Sequence, residues 1–221
     1  MASTVEGCER LLRVLAPGFE PVELESLEEL EVGVAWLERA DPLVRERVSE
    51  AASLFPRRRE LELPLAPANR SDFMREVADV HGALFPGNEE LYGDNVRGKI
   101  ERCLRVTDAE AAAAERERAE YRERFREAVG EVDLVVTPTV LLVAPPADAD
   151  ELELRLPATD HTYPFSSLGW PALALPCGPG EDGLPASIQL TAPAGEDGRV
   201  LAAGRLLESL LHGPGETRLS L

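Results

Sequence analysis

The run VDLVVTPT, residues 132–139, constrains the fold more than any other stretch of this sequence. Valine and leucine follow one another without the polar alternation of a strand that has one face in water, and Thr137-Pro138 ends the run. Such a strand is typical of the interior of a parallel sheet, where helices cover both faces. We therefore expect an α/β fold in which this segment is a central strand.

Helix and strand patterns alternate on both sides of this run. Three of the five predicted helices begin at a capping box or at an Asp-Pro start signal, and the predicted strands are short apolar or alternating runs. The predicted helices are STVEGCERLLRVL, the segment after Asp41-Pro42, SDFMREVADVHGALF, TDAEAAAAERERAEYRERFREAV and EDGRVLAAGRLLESLL. The predicted strands are EVGVAWL, RRRELELPL, VDLVVTPT, PALALPCG and ASIQLTA. The expected fold class is α/β, with a mixed, largely parallel sheet covered by helices.

The sequence also predicts details of some of these helices and strands. A capping box at Ser3 and Glu6 predicts the start of the first helix, and Pro64 favours an edge position for the strand RRRELELPL. Gly33 indicates that another backbone approaches the strand EVGVAWL closely. The helix within SDFMREVADVHGALF has apolar residues at helical spacing on one face. These residues are Phe73, Val77, Val80 and Leu84.

The length of the chain limits how many domains it can form, and its charge excludes some classes of binding partner. The chain has 221 residues, 44% of them hydrophobic, which is enough for one domain over residues 1–221 with its own core. Its formal net charge is -18, so nucleic acid and anionic membrane surfaces would repel it. We therefore expect neither as a partner. No apolar run has the length of a membrane span, and the first residues lack the pattern of a signal peptide.

The cysteines and histidines indicate neither a disulfide framework nor a metal site. The three cysteines are an odd number without C-x-x-C spacing, and the three histidines are scattered singly. Reduced thiols in a cytoplasmic protein are expected, without a metal site. The glycine-rich phosphate loop, G-x-S-x-G and H-E-x-x-H are all missing from the sequence.

Single residues offer weaker chemical candidates. Ser166 or Ser167 would be a nucleophile if His161 folded back as its base, but paired serines in a loop more often bond to backbone groups. Asp133 at the start of the central strand is a candidate acid or base, with pairing at the sheet margin as its commoner role. Cys177 is either a reactive thiol or a small buried side chain.

The stretch HTYPFSSLGWPALALPCG, residues 161–178, is the best candidate for the wall of a pocket. Its prolines and glycines are expected to fix a loop between strands. Phe165 and Trp170 are large apolar side chains in this irregular segment, where they form either ordinary core or a ligand contact. From the residues alone, a pocket is indicated without catalytic machinery.

Five segments in order resemble the carboxyl-terminal half of the amidase signature family. TYPFSSLGWPALALPCG is similar to the family's T-x-P-F-N-x-x-G-x-P-A-x-x-x-P-x-G stretch, and DGLPASIQLTA to its G-L-P-x-G-x-Q segment. VDLVVTPT, MASTVEGCERLLRVL and LEVGVAWLERADPLVRERVSEAA resemble its strand, its M-A-R-x-V-x-D helix and the strand and helix after it. The resemblance spans nearly the whole chain and is weakest over residues 67–105.

The resemblance implies amide hydrolysis through an acyl-serine, driven by a Ser, cis-Ser, Lys triad. In the family this machinery precedes the M-A-R-x-V-x-D helix, at which the present chain begins. Lys99, the sole lysine, lies outside any such motif, so no catalytic residue is carried over. The expected protein is thus an incomplete amidase-like domain that lacks the amino-terminal catalytic half and is inactive alone.

The same resemblance assigns Phe165, Ser166 and Trp170 to the acyl side of a pocket for a small-molecule amide in the complete protein. Ser166 stands where the family has asparagine, Ser187 where it has glycine, and Gly7 where it has aspartate. A truncated sheet is also expected to expose apolar surface and to self-associate. The alternatives are a non-catalytic family member acting as a binding or interaction module and an unrelated α/β enzyme using Asp133 or Cys177.

Overall fold

The computed structural model describes residues 1–150, 154 and 158–212. The chain divides into two compact units. We call residues 1–65 with 127–221 the sheet unit, and residues 66–126 the helical unit. Among the described residues, no helix has both the length and the apolar character needed to cross a bilayer.

The predicted helices and strands are present in the predicted order, with two further helices among the described residues, at Asp94–Cys103 and Tyr163–Leu168. The helices are α1 Val5–Leu15, α2 Pro42–Ala52, α3 Ser71–His81, α4 Asp94–Cys103, α5 Asp108–Val129, α6 Tyr163–Leu168 and α7 Asp197–His212. The strands are β1 Val32–Val34, β2 Arg58–Glu60, β3 Leu134–Pro138, β4 Ala172–Pro179 and β5 Pro185–Thr191. Short 3-10 turns lie at Leu27–Glu29, Leu37–Arg39, Glu89–Leu91 and Glu181–Gly183.

Five strands form one mixed sheet in the order β2-β1-β3-β5-β4. β1 pairs parallel with β2 and with β3, whereas β5 pairs antiparallel with β3 and with β4. Parallel and antiparallel pairings are therefore equal in number. β3 is central and fully buried, and β2 is an edge strand, as the sequence predicts.

The two faces of the sheet differ in chemistry. Residues that alternate along a strand point to opposite faces. Leu134, Val136, Ile188 and Leu190 share one face and belong to a large apolar cluster with residues of α1, α2 and α7. The opposite face carries Thr137, Gln189 and Thr191, which are polar and buried. We call these the apolar face and the polar face.

The first helix starts at a different cap from the predicted one, whereas the second starts at the predicted Asp41-Pro42. The N-cap of α1 is Thr4, whose hydroxyl accepts a hydrogen bond from the backbone N–H of Gly7 at 3.0 Å, so the predicted Ser3 box is wrong. Asp41 precedes Pro42 at the start of α2 but makes no capping bond with its side chain. Proline at the first position already removes one of the donors that a cap would satisfy.

Gly33 of β1 does meet close neighbours, but not another backbone. A Cβ atom added there would lie 2.1 Å from Cδ1 of Leu61. A side chain therefore occupies the space that the sequence prediction gave to a main chain.

In the helical unit, the apolar side of α3 is largely exposed. Phe73, Val80 and Leu84 are exposed and Val77 is half-buried, whereas Asp72 and Ala78 are buried. Nε of Arg118 on α5 lies 3.0 Å from a carboxylate oxygen of Asp72. A buried charge requires a partner of this kind, and the pair holds this side of α3 inward.

The long helix α5 follows its prediction more closely. Thr107 and Glu110 form the predicted capping box, with the backbone N–H of Thr107 donating to Glu110 at 2.9 Å and that of Glu110 donating to Thr107 at 3.3 Å. Ala114, Tyr121 and Phe125 are buried as expected.

Candidate functional site

The topology of the sheet indicates a candidate ligand site at the carboxyl ends of β1 and β3. From β1 the chain crosses to β2 on one side, and it returns to the sheet as β3 on the other side of β1. The two strands are parallel, so both end at the same edge of the sheet. In open α/β sheets, ligands bind at such a switch point, outside the carboxyl ends of the strands.

Trp36 lies directly beyond the end of β1 and has an unusual backbone. Its φ of 61° and ψ of 19° place it in the left-handed region, which costs a bulky side chain about 1 kcal/mol. The indole is only 5% exposed, and its Nε1 donates to the carbonyl of Leu63 at 3.0 Å. Strained residues of this kind cluster at functional sites. Sequence reasoning missed Trp36 because it extended the strand to Leu37, whereas β1 ends at Val34.

Trp36 belongs to a group of four rings that we call the aromatic cluster: Trp36, His161, Phe165 and Trp170. The centroid of the Trp36 ring lies 5.2 Å from that of His161 and 5.8 Å from that of Phe165. Phe165 in turn stacks with Trp170 at 6.4 Å. Aromatic pairs at these spacings stabilise one another beyond the area that they bury.

The structure brings two of the three predicted pocket residues together and leaves the third at the surface. Phe165 is 1% exposed and lies beneath Trp170, so it is not open to a ligand from solvent. Trp170 is half-buried. Ser166 is exposed, and its hydroxyl donates to the carbonyl of Thr162 at 3.4 Å. The predicted loop is in part a short helix, α6, which ends at Gly169 with a φ of 72°.

His161 is buried in the cluster and bonds to β3. Its Nδ1 donates to the carbonyl of Pro138 at 3.2 Å, and among the described residues its Nε2 has no hydrogen-bond partner. Burial is the main reason that the pKa of His161 falls to about 4, with the guanidinium of Arg39 adding to the effect. The imidazole is thus neutral at pH 7 and bonds to neither serine hydroxyl. The arrangement does not support Ser166 or Ser167 as a nucleophile activated by His161.

A ring of four hydrogen bonds joins His161 to the polar face of the sheet. Nε2 of Gln189 donates to Oγ1 of Thr137 and to the carbonyl of His161, each at 3.0 Å. The Thr137 hydroxyl donates to the carbonyl of Pro138 at 3.0 Å, and His161 Nδ1 donates to that same carbonyl. We call these four residues the Gln189 network. The network ties β3 and β5 to the start of the segment that carries α6.

The surroundings of Asp133 and Cys177, the other candidate residues, favour a structural role for both. Asp133 accepts from the backbone N–H of Glu31 at 2.8 Å and pairs with Arg199 at 3.0 Å, which is the sheet-margin role. Burial raises the pKa of Cys177 to about 12, so its thiol stays protonated at neutral pH. Among the described residues, no group of three or more His, Cys, Asp or Glu side chains is arranged to hold a metal ion.

Comparisons with known proteins agree on one family. The family model described as Amidase matches residues 19–201. An amidase of Pseudomonas putida is 27% identical over 239 residues, which cover 93% of this chain and 51% of that protein. One of the subunits of glutamyl-tRNA(Gln) amidotransferase from Prochlorococcus marinus is 28% identical over 198 residues, which cover 86% of this chain and 40% of that protein.

A solved structure described as a crystal structure of amidase superposes with a TM-score of 0.75 at 27% identity. The match covers 94% of this chain and 51% of that one. The chain thus spans about half the length, or less, of these relatives.

Proposed function

Because the chain belongs to the amidase family, we propose that it is the carboxyl-terminal portion of an amide hydrolase, supplying scaffold and one wall of the substrate pocket. In the complete protein, a serine hydroxyl would attack the amide carbonyl, the amine would leave with a proton, and water would then release the acyl group from the serine. The nucleophile and its activating lysine belong to a part of the family pattern that this sequence does not match.

The observation that carries the proposal is the position of α6 and Trp170 at the switch point of the sheet. The bond from His161 to Pro138 holds this segment at the end of β3, with Trp170 half-buried over Phe165. In this arrangement Trp170 would contact the acyl group, the Ser166 hydroxyl would bond to a polar atom of it, and Phe165 would support Trp170 from beneath. We assign no metal or organic cofactor to this wall.

The edge strand β4 supports the idea of an incomplete domain. Ala172, Ala174 and Pro176 pair with β5 residues of the polar face and are exposed. Small uncharged residues on an open sheet face are typical of a surface that packs against further protein. The two compact units would then be parts of one larger cytoplasmic domain, and the isolated chain would self-associate through this surface.

Trp170→Ala in the complete protein tests the wall. Loss of an aromatic contact worth about 1–2 kcal/mol predicts a drop of about 5- to 30-fold in kcat/KM, together with a changed preference among acyl groups. Phe73→Ala is the matched control, because Phe73 is an exposed aromatic residue of the helical unit and should leave both quantities unchanged. An unchanged KM and acyl preference in Trp170→Ala would contradict the assignment.

An activity assay on the 221-residue chain alone tests whether catalysis requires the rest of the protein. We expect no turnover of a panel of simple amides, because no nucleophile and activating base are paired among the candidate residues described above. Turnover that follows the chain through successive purification steps would overturn this expectation. A complete protein with no amidase activity would instead favour the non-catalytic binding module.

A further inference from the structure

We propose that Gln189 is a positioning residue, whose side-chain amide fixes α6 and Trp170 against the carboxyl end of β3. The proposal rests on the proposed function for what this wall faces, but the bonds that hold the wall stand independently of it. Gln189 lies on β5, next to the central strand β3, and is 3% exposed.

The first step concerns the geometry of the amide. Gln189 and Thr137 are directly opposite in the β3–β5 register, so their side chains lie on the same face of the sheet. One N–H of Gln189 Nε2 is directed to Thr137, and the other bridges to the carbonyl of His161, 28 residues earlier in the chain. A side-chain amide has two N–H donors. Both donors therefore have acceptors, and one of these acceptors lies outside the sheet.

The second step concerns the closure of the network. Pro138 offers one carbonyl with two lone pairs, and it receives one bond from Thr137 and one from the ring of His161. Each bond in the ring thereby restrains a partner of the next bond, in a buried setting where hydrogen bonds are stronger than in water. Loss of the Gln189 donors would leave the carbonyl of His161 without this bond, and leaving a buried acceptor unpaired is costly.

The third step concerns what the network holds. His161 lies two residues before the first residue of α6, and its ring contacts Trp36. α6 carries Phe165, which contacts both Trp36 and Trp170. The position of the whole aromatic cluster thus depends on where the main chain of His161 is fixed. Gln189 contacts that main chain directly, which distinguishes it from a side chain that merely fills the core.

The sequence supplies a clean optical reporter for this inference. Trp36 and Trp170 are the only two tryptophans in the chain, and both belong to the aromatic cluster. Intrinsic tryptophan fluorescence and the near-ultraviolet circular dichroism of tryptophan therefore report on this region and not on the rest of the molecule.

The experiment compares Gln189→Met with Ser187→Ala in the full 221-residue chain. Methionine keeps the length of the side chain but has no donors. Ser187 is the matched control, since its hydroxyl bonds to that of Thr139, the residue after β3, at 2.8 Å and is not one of the bonds of the Gln189 network. We expect Gln189→Met to weaken the near-ultraviolet tryptophan bands and to raise acrylamide quenching severalfold, while Ser187→Ala leaves both at wild-type values.

Two outcomes would overturn the proposal. Wild-type tryptophan signals in a folded Gln189→Met variant would show that the amide does not position the wall. Equal changes in both variants would show a general loosening of the β3–β5 pairing. If Gln189→Met does not fold, Thr137→Val breaks the same network on a residue suited to a strand, and the same criteria apply.

A measurement on the unmodified chain completes the test. The two side-chain amide protons of Gln189 should exchange slowly with solvent in NMR measurements, because both are bonded in a buried site. Exchange as fast as that of an exposed glutamine side chain would overturn the proposal. In the complete protein, Gln189→Met should raise KM for an amide more than it lowers kcat. If that protein has no amidase activity, the proposed function fails while the fluorescence and NMR results still decide the role of Gln189.

Discussion

The sheet unit and the helical unit reach a folded state by different means. The sheet unit has 12 basic and 28 acidic residues in its sequence and is organised around a large apolar cluster. The helical unit has 11 basic and 13 acidic residues, exposes Phe73 and Val80, and buries the Asp72 carboxylate against Arg118. Apolar packing thus organises the first unit, whereas a specific ion pair orients a helix in the second. Their responses to mutation should differ accordingly.

The largest expected effect is the loss of a core leucine in the sheet unit. Leu190 is fully buried within the apolar cluster, so Leu190→Ala should lower the free energy of unfolding by about 3 kcal/mol through lost burial and a residual cavity. Urea unfolding followed by far-ultraviolet circular dichroism measures the change. The same substitution at Leu91 in the helical unit, where the side chain is 81% exposed, should cost less than about 0.5 kcal/mol. Similar losses at both positions would refute the contrast.

The next effect lies in the helical unit. Arg118→Gln removes the cation beside the buried carboxylate of Asp72 and should destabilise the chain by about 2 kcal/mol, below the full cost for a buried pair because Arg118 is partly exposed. The control is Arg126→Gln, which breaks a pair with Glu123 in which both side chains are mostly exposed, and should change little. Equal unfolding midpoints for the two variants would mean that the ion pair does not orient α3.

The smallest expected effect is a pH dependence of the stability of the sheet unit, which comes from the buried His161. The pKa of His161 is about 4 in the folded chain, against an ordinary value of 6.5. The unfolded chain therefore binds a proton first as the pH falls, and stability is lost from about pH 6.5 down to about pH 4. Between pH 7 and pH 5 the loss from this residue should be about 1–2 kcal/mol.

Comparison of wild type with His161→Gln isolates this contribution from that of the carboxylates. The variant should be less stable at pH 7 but should lose less stability on acidification to pH 5. Leu91→Ala, at an exposed position of the helical unit without an ionisable group, is the control and should keep the wild-type dependence. Parallel stability curves for wild type and His161→Gln would contradict the low pKa of His161.

Sequence patterns predicted the sheet unit well because its signals are local and repeated. The valine-rich run of residues 132–139 favours a strand covered on both faces, and β3 is that strand. The helical unit was harder for a physical reason. Helical spacing identifies which residues share a face, but the face that turns inward was decided by Arg118, 46 positions after Asp72 in the chain. No local pattern contains that information.

In the candidate site too, local sequence patterns predicted some residues and not others. Phe165 and Trp170 were predicted from their size in a proline-rich segment, and they do stack together. The contribution of Trp36 depends on the pairing of β1 with β3, which brings residues about 100 positions apart to one edge. Gln189 could have been suspected, since a glutamine within the strand ASIQLTA is polar where its neighbours are apolar. Its partners His161 and Thr137 become evident only from the register of the strands.

The two edge strands of the sheet differ in charge. Along β2, the exposed side chains of Arg58, Arg59 and Glu60 are charges of the kind that discourage strands from pairing at an edge. Along β4, no residue from Ala172 to Pro179 is charged, and Ala172 and Ala174 are open to solvent. Within the described chain, charges thus protect one margin of the sheet, whereas the other margin is uncharged and is interrupted by Pro176 and Pro179. A neighbouring polypeptide that lengthens this sheet would pair with the part of β4 that precedes Pro176.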